Sequence, residues 1–214
     1  MEVPNPTYIY RLVHFANLSI LFTRGGLHAP NHAPDDGLKY RTIHNVDIQK
    51  NRRVREIPCG PGGVIHDYVS FYFCTRSPML FQLHTGYVQG YYEGQEPIIY
   101  LVTTAQAIEE AGLGFVFSDG HGIATFTHWF DDLTKLDNVH WDVIRAQIWK
   151  DTSEQPDRQR RKQAEFLIHK YCDWSLIKGI GVVNQKIKGQ VDQLMEDFPE
   201  TLHRPVKIIK KWYY

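Results

Sequence analysis

The spacing of apolar and polar residues changes several times along this chain, and each change marks an element. Residues 7–14 (Thr-Tyr-Ile-Tyr-Arg-Leu-Val-His) are β-branched and aromatic and predict a strand. Asn17 then opens a short amphipathic helix, with Leu18, Leu21 and Phe22 on one face and Gly25-Gly26 as its stop. Residues 64–73 predict a second strand that leads into the turn Thr75-Arg76-Ser77-Pro78, and Met79–His84 begins a helix. Pro97–Val102 is a short buried strand, and Thr104–Gly112 is a helix with a glycine stop. Phe115–Phe117 is strand-like and runs into the turn Ser118-Asp119-Gly120-His121-Gly122. Phe126–Leu136 and Trp141–Trp149 read as helices, Glu165–His169 and Ile180–Val183 as strands, Lys186–Phe198 as an amphipathic helix and Val206–Tyr213 as a terminal strand. Strands dispersed among helices, without regular βα alternation, predict an α+β fold. A length of 214 residues suits one domain, 1–214, with a sizeable core.

Two stretches escape this patterning. Residues 28–63 are rich in Pro, Gly, Asn, Asp and Arg and show little periodicity, apart from a short helix near Val46–Arg53. An irregular segment of that length inside a compact domain is normally functional or disordered, so it is a candidate ligand-covering loop. Residues 151–163 form a basic, Pro-interrupted loop that ends in the apolar run Phe166-Leu167-Ile168, with Glu165 between the two. A loop that ends in a buried strand holds its last polar side chain at the rim of the core, where a catalytic group is fixed by packing yet open to substrate. The alternative is a solvated glutamate at a helix start.

Composition narrows the function classes. Net charge is zero, so bulk charge announces no polyanion partner. The charge is segregated, however: Lys50, Arg52, Arg53 and Arg55 form one cluster, Arg158, Arg160, Arg161 and Lys162 a second, and Lys207, Lys210 and Lys211 a third. A neutral protein can carry a basic face in this way, although each cluster taken alone could be a solvated loop. Three scattered cysteines with no CxxC pair suit a reducing compartment. No leader-like N-terminus and no window of about 18 apolar residues is present, so the chain is expected to be cytoplasmic, with no membrane association.

The common cofactor motifs are missing. There is no GxxxxGK[ST] loop, no GxSxG elbow and no HExxH, and neither Gly112-Leu113-Gly114 nor Gly179-Ile180-Gly181 extends to GxGxxG. His28 and His32 are four apart, but Pro30 between them spoils the helix that would align them, so no metal is expected. What remains is a polar set: Arg11, His14, Arg52, Tyr72, Arg76, Ser77, His121 and Glu165. Each has a structural alternative, since Arg11 could be an edge-strand charge, His14 a satisfied strand-end histidine, Tyr72 core, and Arg76-Ser77-Pro78 only a turn. Jointly they supply arginines for phosphates, an aromatic for a flat ring and one carboxylate for a ribose hydroxyl. A glycosyl transfer from a nicotinamide dinucleotide needs that set. Its leaving group is already cationic, so no strong acid is required, and a carboxylate can stabilise an oxocarbenium-like ribose electrostatically.

Six of these residues, all but Arg52 and His121, fall within a set of longer motifs: IYRLVHFANL (Ile9–Leu18), PGGVIHDYV (Pro61–Val69), FYFCTRSPML (Phe71–Leu80) and QAEFL (Gln163–Leu167). Together with the overlapping HDYVxFYFxxRSPM (His66–Met79), these motifs resemble the DarT family, the DNA ADP-ribosyltransferase toxins of DarT–DarG toxin–antitoxin pairs, from about Tyr8 to Tyr214. The resemblance implies a mono-ADP-ribosyltransferase-like split, mostly antiparallel β-sheet with surrounding helices. It also implies NAD as donor, and thymine in single-stranded DNA as acceptor, modified at a ring nitrogen. Glu165 matches the family's catalytic glutamate and Arg52 the assisting arginine of the long loop. Arg11 falls where the wider superfamily places a first-strand His or Arg; many family members have His there, so Arg11 keeps the donors and loses the ring. With His14, Asn17, Tyr72, Arg76 and Ser77, these two arginines make the expected NAD-binding set. His121 matches a position near the DNA base, and Arg158, Arg160 and Arg161 are the expected DNA contacts. A macrodomain antitoxin is the implied partner. Other classes stay open: an ADP-ribosyltransferase acting on protein or RNA, or a non-catalytic nucleic-acid-binding module.

Overall fold

The computed structural model describes residues 2–214. Ten strands and seven α-helices follow one another as β1 (Tyr8–His14), α1 (Leu18–Thr23), β2 (Gly26–His28), α2 (Val46–Val54), β3 (Tyr68–Tyr72), α3 (Pro78–Thr85), β4 (Ile98–Thr104), α4 (Ala105–Glu110), β5 (Phe115–Ser118), β6 (Trp129–Phe130), α5 (Trp141–Arg145), α6 (Arg158–Lys162), β7 (Glu165–His169), β8 (Tyr171–Asp173), β9 (Gly179–Val182), α7 (Gln185–Glu196) and β10 (Val206–Ile208). Eight strands form one sheet in the order β10-β9-β4-β1-β3-β7-β5-β6, antiparallel except for β9–β10, while β2 and β8 pair separately.

The sheet is split in the middle. β1 and β4 are paired from Tyr8↔Thr104 to His14↔Ile98, and β3 and β7 from Tyr68↔His169 to Tyr72↔Glu165, but β1 meets β3 only at Tyr10↔Tyr72. Beyond that point the two half-sheets diverge and their facing edges open a cleft. The Arg11 guanidinium reaches across it to donate to the Ser70 carbonyl at 2.7 Å.

Strand alternation explains where the cleft lies. Along β3 and β7, Val69, Phe71, Phe166 and Ile168 point into the large core beneath the sheet, packed with residues from α1, α4, α5 and α7. Phe166 stacks on Phe115 with centroids 5.0 Å apart, and burying such a ring contributes on the order of 1.5–3 kcal/mol. On the opposite face Leu12, Ile98 and Tyr100 gather with α3 and Tyr213 over one half-sheet, and Tyr68, Val116 and Leu167 gather with Ile57 and Ile65 over the other. Ser70, Tyr72 and Glu165 lie on that second face in phase with Tyr68 and Leu167, so polar side chains fall between two apolar clusters.

Several expectations need correction. Phe126–Leu136 is not a helix: Trp129-Phe130 joins the sheet edge beside β5, where Phe130 stacks on Phe117 at 5.2 Å, and Asp132 caps a 3₁₀ turn. The helix from Trp141 ends at Arg145, where buried Lys162 takes the Ile144 and Ala146 carbonyls, both at 2.7 Å. Residues 65–67 form a 3₁₀ turn, so β3 begins only at Tyr68. The terminal strand stops at Ile208, and the chain then turns inward so that the Tyr213 hydroxyl donates to the Ile98 and Gly181 carbonyls. The β2–β8 pair had no visible signal, because each strand is three residues long.

Candidate active site

The cleft opens into a cavity of about 340 Å³ walled by Arg11, Asn17, Arg52, Tyr72, His121 and Gln163 among others. The irregular loop 28–63 forms one wall and is pinned at several points. The Asn17 amide donates to the Arg41 carbonyl at 3.0 Å and accepts from the Arg41 amide at 2.7 Å. Arg24 grips Asp36 at 2.8 Å and lies over the Tyr40 ring. Within this loop the Asn45 side chain caps α2 by accepting from the amides of Asp47 and Ile48, which orients the helix so that Arg52, near its end, points inward.

Arg52, on the cavity wall, forms a bidentate ion pair with Glu165 behind it, Nη1–Oε1 2.8 Å and Nη2–Oε2 2.7 Å. Arg52 is 7% exposed and Glu165 1%. Further partners complete the arrangement. Arg52 Nη2 donates to Ser70 Oγ at 2.7 Å, the Gly122 amide donates to Glu165 Oε1 at 3.3 Å, and the Glu165 amide donates to Ser118 Oγ at 3.1 Å. Burial alone would raise the Glu165 carboxyl, but the adjoining guanidinium outweighs it and holds the carboxyl below its ordinary value. Burial would likewise lower the Arg52 guanidinium, and Glu165 reverses that. The carboxylate is therefore ionised, held by Arg52 and the Gly122 amide, and separated from the open volume by the cavity-lining Arg52, Tyr72 and His121.

The turn Asp119–Gly122 is packed tightly around this pair. A Cβ on Gly122 would come within 3.1 Å of Ile65, 3.2 Å of Trp129 and 3.3 Å of Glu165 Oε1, so a glycine is what lets the backbone amide reach the carboxylate. A Cβ on Gly120 would stand 2.2 Å from Arg160 Nη1. His121 lines the cavity, and burial lowers its imidazole below the ordinary value despite Glu165 nearby, so it is neutral. His44 and His66 line the same cavity and are lowered by burial and by the neighbouring arginines.

Arg11 is half-buried, and the removal of its guanidinium from water lowers it from the ordinary value. Its Nε has no partner within the protein, a buried donor free to meet an anion. Tyr72 stands beside Glu165 in register, and burial raises its hydroxyl, which reaches only Met79 Sδ at 3.7 Å. Among the described residues no group of three His, Cys, Asp or Glu side chains could hold a metal ion, and no helix is long and apolar enough to cross a membrane.

The fold gives other tasks to some of the expected site residues. His14 is 2% exposed and off the cavity wall; its Nδ1 accepts from the Ala16 amide and its Nε2 lies 3.4 Å from Glu93. Ser77 is buried and caps α3 by accepting from the Leu80 amide, with Pro78 in the first turn. Arg76, at φ 51°, stacks on the Tyr214 ring at 4.6 Å, away from the cavity. The Arg-Ser-Pro segment forms a turn and the start of α3. The cluster at 158–162 is also less basic than its sequence. Arg160 is bound to Asp157 at 2.7 Å and Asp119 at 2.8 Å, Arg161 to Asp157 at 3.0 Å, Arg158 to the Ile148 carbonyl at 2.8 Å, and Lys162 is buried.

Ser70, Ser118, Gly122, His44 and His66 escaped the sequence reading. Ser70 alone had a usable signal, as a small polar residue in phase with Tyr68 and Tyr72 on a buried strand.

Comparison with known proteins gives one consistent neighbourhood. The family model described as "ssDNA thymidine ADP-ribosyltransferase, DarT" matches residues 10–214. A DNA ADP-ribosyl transferase of Thermus sp. (strain 2.9) is 43% identical over 211 residues, covering 99% of this chain and 98% of the relative. The structure of Thermus sp. 2.9 DarT in complex with ADP-ribosylated ssDNA superposes with a TM-score of 0.93 at 42% identity, over 100% of this chain and 99% of that one. The same protein in complex with NAD+ gives 0.89 at 41% identity, over 100% of both chains. Thermosipho africanus DarTG in complex with ADP-ribose shares the fold at 0.78, with 14% identity, over 96% of this chain and 50% of that one.

Proposed function

The chain belongs to the DarT family of ssDNA thymidine ADP-ribosyltransferases, and from that premise we propose how its residues carry the reaction. The enzyme transfers ADP-ribose from NAD to thymine in single-stranded DNA and releases nicotinamide. The observation that carries the residue assignment is the buried, ionised Glu165, held by the Gly122 amide and by Arg52, which itself lines the cavity.

In this reading the pyrophosphate of NAD meets the Arg11 guanidinium, whose Nε has no protein partner, and the dinucleotide lies between the 28–63 loop and β1, with Asn17 holding that loop and Tyr72 against the nicotinamide. Breaking the bond from C1′ to nicotinamide sends the electron pair to the leaving group and leaves positive charge on the ribose. Glu165 faces that charge. Glu165 Oε2 accepts only from Arg52 and keeps a second lone pair for the ribose hydroxyl. Thymine N3 then bonds to C1′ and loses its proton. N3 is hidden in a base pair, so the acceptor must be unpaired. The Arg52 guanidinium, with an ordinary pKa above about 12, is a poor base and stabilises the negative charge developing on the thymine. Neutral His121, on the same wall, is the better proton acceptor. Arg158 and Arg161 offer the DNA backbone partly neutralised charge, and Arg160 serves mainly to hold the acceptor loop.

The antitoxin half of the reading rests on the family: a modification of DNA bases harms its own cell unless it is reversed, so the partner is a macrodomain protein that removes ADP-ribose. One domain, 1–214, carries the transferase, and the free thiols of Cys59, Cys74 and Cys172 suit the cytoplasm. Incubation with labelled NAD and oligonucleotides differing at a single T tests the assignment. Label should appear only on the T-containing strand, and Glu165→Ala should abolish it while leaving the melting transition cooperative. Label on protein or RNA alone would assign a different acceptor.

A further inference from the structure

The turn that brings Gly122 to the catalytic carboxylate also carries the most unusual side chain near the cleft. Phe126 is 63% exposed, although the chain around it is closely tied down. The Ala124 amide donates to the His121 carbonyl at 3.0 Å, the Thr127 amide to the Ala124 carbonyl at 3.2 Å, and Thr127 Oγ1 to the His121 carbonyl at 2.8 Å. One face of the Phe126 ring is covered by the Arg160 guanidinium at 4.8 Å. Arg160 is itself fixed by Asp119 and Asp157 and packs against Gly120, so the ring rests on a rigid support. Its other face has no such cover. Arg55 brings a second guanidinium to the same turn, donating from Nη2 to the Ala124 carbonyl at 3.3 Å, while its buried Nε has no partner.

We propose that Phe126 is the stacking platform for the base adjoining the target thymine, a specificity-determining position for the DNA acceptor. The proposal rests on the reading of the site as a DNA transferase. A flat apolar ring held rigidly beside cations suits one occupant, a nucleobase on a phosphate backbone: the π-face takes the base, and Arg55 supplies charge for the adjoining phosphate. The same turn sets Gly122 against Glu165, so a base seated on Phe126 fixes its neighbour relative to the carboxylate. A stacked neighbour makes the single-stranded acceptor lose less freedom at the chemical step.

The test crosses a protein change with a substrate change. Wild type, Phe126→Ala and Phe126→Trp are compared on an oligonucleotide with one T and on two versions in which the nucleotide on either side of the T is abasic. For wild type, one of the two abasic sites should raise KM for DNA about tenfold, within the range for aromatic–base stacking. Phe126→Ala should start from that raised KM and suffer no further penalty, while Phe126→Trp should retain the wild-type response. The proposal is overturned if Phe126→Ala shows the same abasic penalty as wild type. If Phe126→Ala fails to fold, the Trp variant decides by the same cycle, and loss of the penalty in Phe126→Trp overturns the idea. Failure of wild type to label any T-containing strand would instead bring down the DNA reading itself.

Discussion

Two arginine–carboxylate clusters stand on either side of the Asp119–Gly122 turn, and they do opposite work. Arg52–Glu165 meets open volume through its arginine, and its carboxylate is held by a second chain segment and a backbone amide. Arg160 with Asp119 and Asp157 borders the protein's own loops. Asp119 also accepts from the His128 amide at 3.0 Å, so its oxygens are spent on local structure. One cluster can exchange a protein partner for substrate; the other keeps the acceptor loop in place. Both set an arginine against carboxylates, and the difference in their work lies in what faces them.

The largest effect should follow Glu165→Gln, which keeps shape and removes charge. Transfer to DNA should fall about a thousandfold, on the scale of losing a principal electrostatic stabiliser. Single-turnover assays on a T-containing oligonucleotide check this, and activity within tenfold of wild type would remove Glu165 from the reaction.

Stability separates the clusters next. Glu165→Leu leaves Arg52 charged and buried and should cost about 3–5 kcal/mol, whereas Arg52→Met/Glu165→Leu should recover most of that though inactive, because a buried pair replaced by apolar side chains regains its desolvation cost and only the long 3.3 Å bond from the Gly122 amide is left without its acceptor. The equivalent double change Arg160→Met/Asp119→Leu should remain destabilising by about 1–3 kcal/mol, since the His128 amide loses its acceptor. Denaturant titrations of the variants measure all three. Equal behaviour of the two double variants would erase the distinction.

Gly122→Ala probes the link between them. The added methyl must move Ile65, Trp129 or the carboxylate, and a displacement of this kind should lower kcat about tenfold while the melting temperature changes by only a few degrees. An unchanged kcat would show that the Gly122 amide is dispensable.

Acid should produce the smallest contrast. Glu165, Asp119 and Asp157 all sit below their ordinary carboxyl values; for each, burial pushes upward and the adjoining arginine pulls further down. A carboxyl lowered in the folded state contributes stability that is complete above its unfolded value and is lost as pH falls through the lower folded value. Melting temperatures should therefore hold until pH drops below about 4.5, the ordinary glutamate value, and then decline. The decline should be shallower in Arg52→Met/Glu165→Leu than in wild type.

Much of this was visible in the chain. β1, β4, β5, β7 and α7 were legible because their apolar residues keep one period against a continuous core. Glu165 was legible as the single carboxylate at the junction of loop and buried strand, and Arg52 as a charge on a short helix within an irregular loop. The region 126–149 misled because its aromatics, among them Phe126, Trp129, Phe130, Trp141 and Trp149, imitate helical spacing while serving a sheet edge, a 3₁₀ turn and a one-turn helix. Arg76 and Ser77 were grouped with the site, and the fold gives each a local contact as well: Ser77 caps α3 and Arg76 lies over the Tyr214 ring, while the buried Arg76 Nε has no partner.

The sequence by itself determined the alternation of elements, the chemistry available and the family, because local periodicity and long motifs are properties of the chain. Only the tertiary structure decided which charges are free. Arg52 and Glu165, 113 residues apart, meet because the half-sheets part at Tyr10↔Tyr72. Arg160, with the same side chain as Arg52, is neutralised because the fold sets Asp119 beside it. Pairing energies depend on distance and burial, and neither is written in the order of residues.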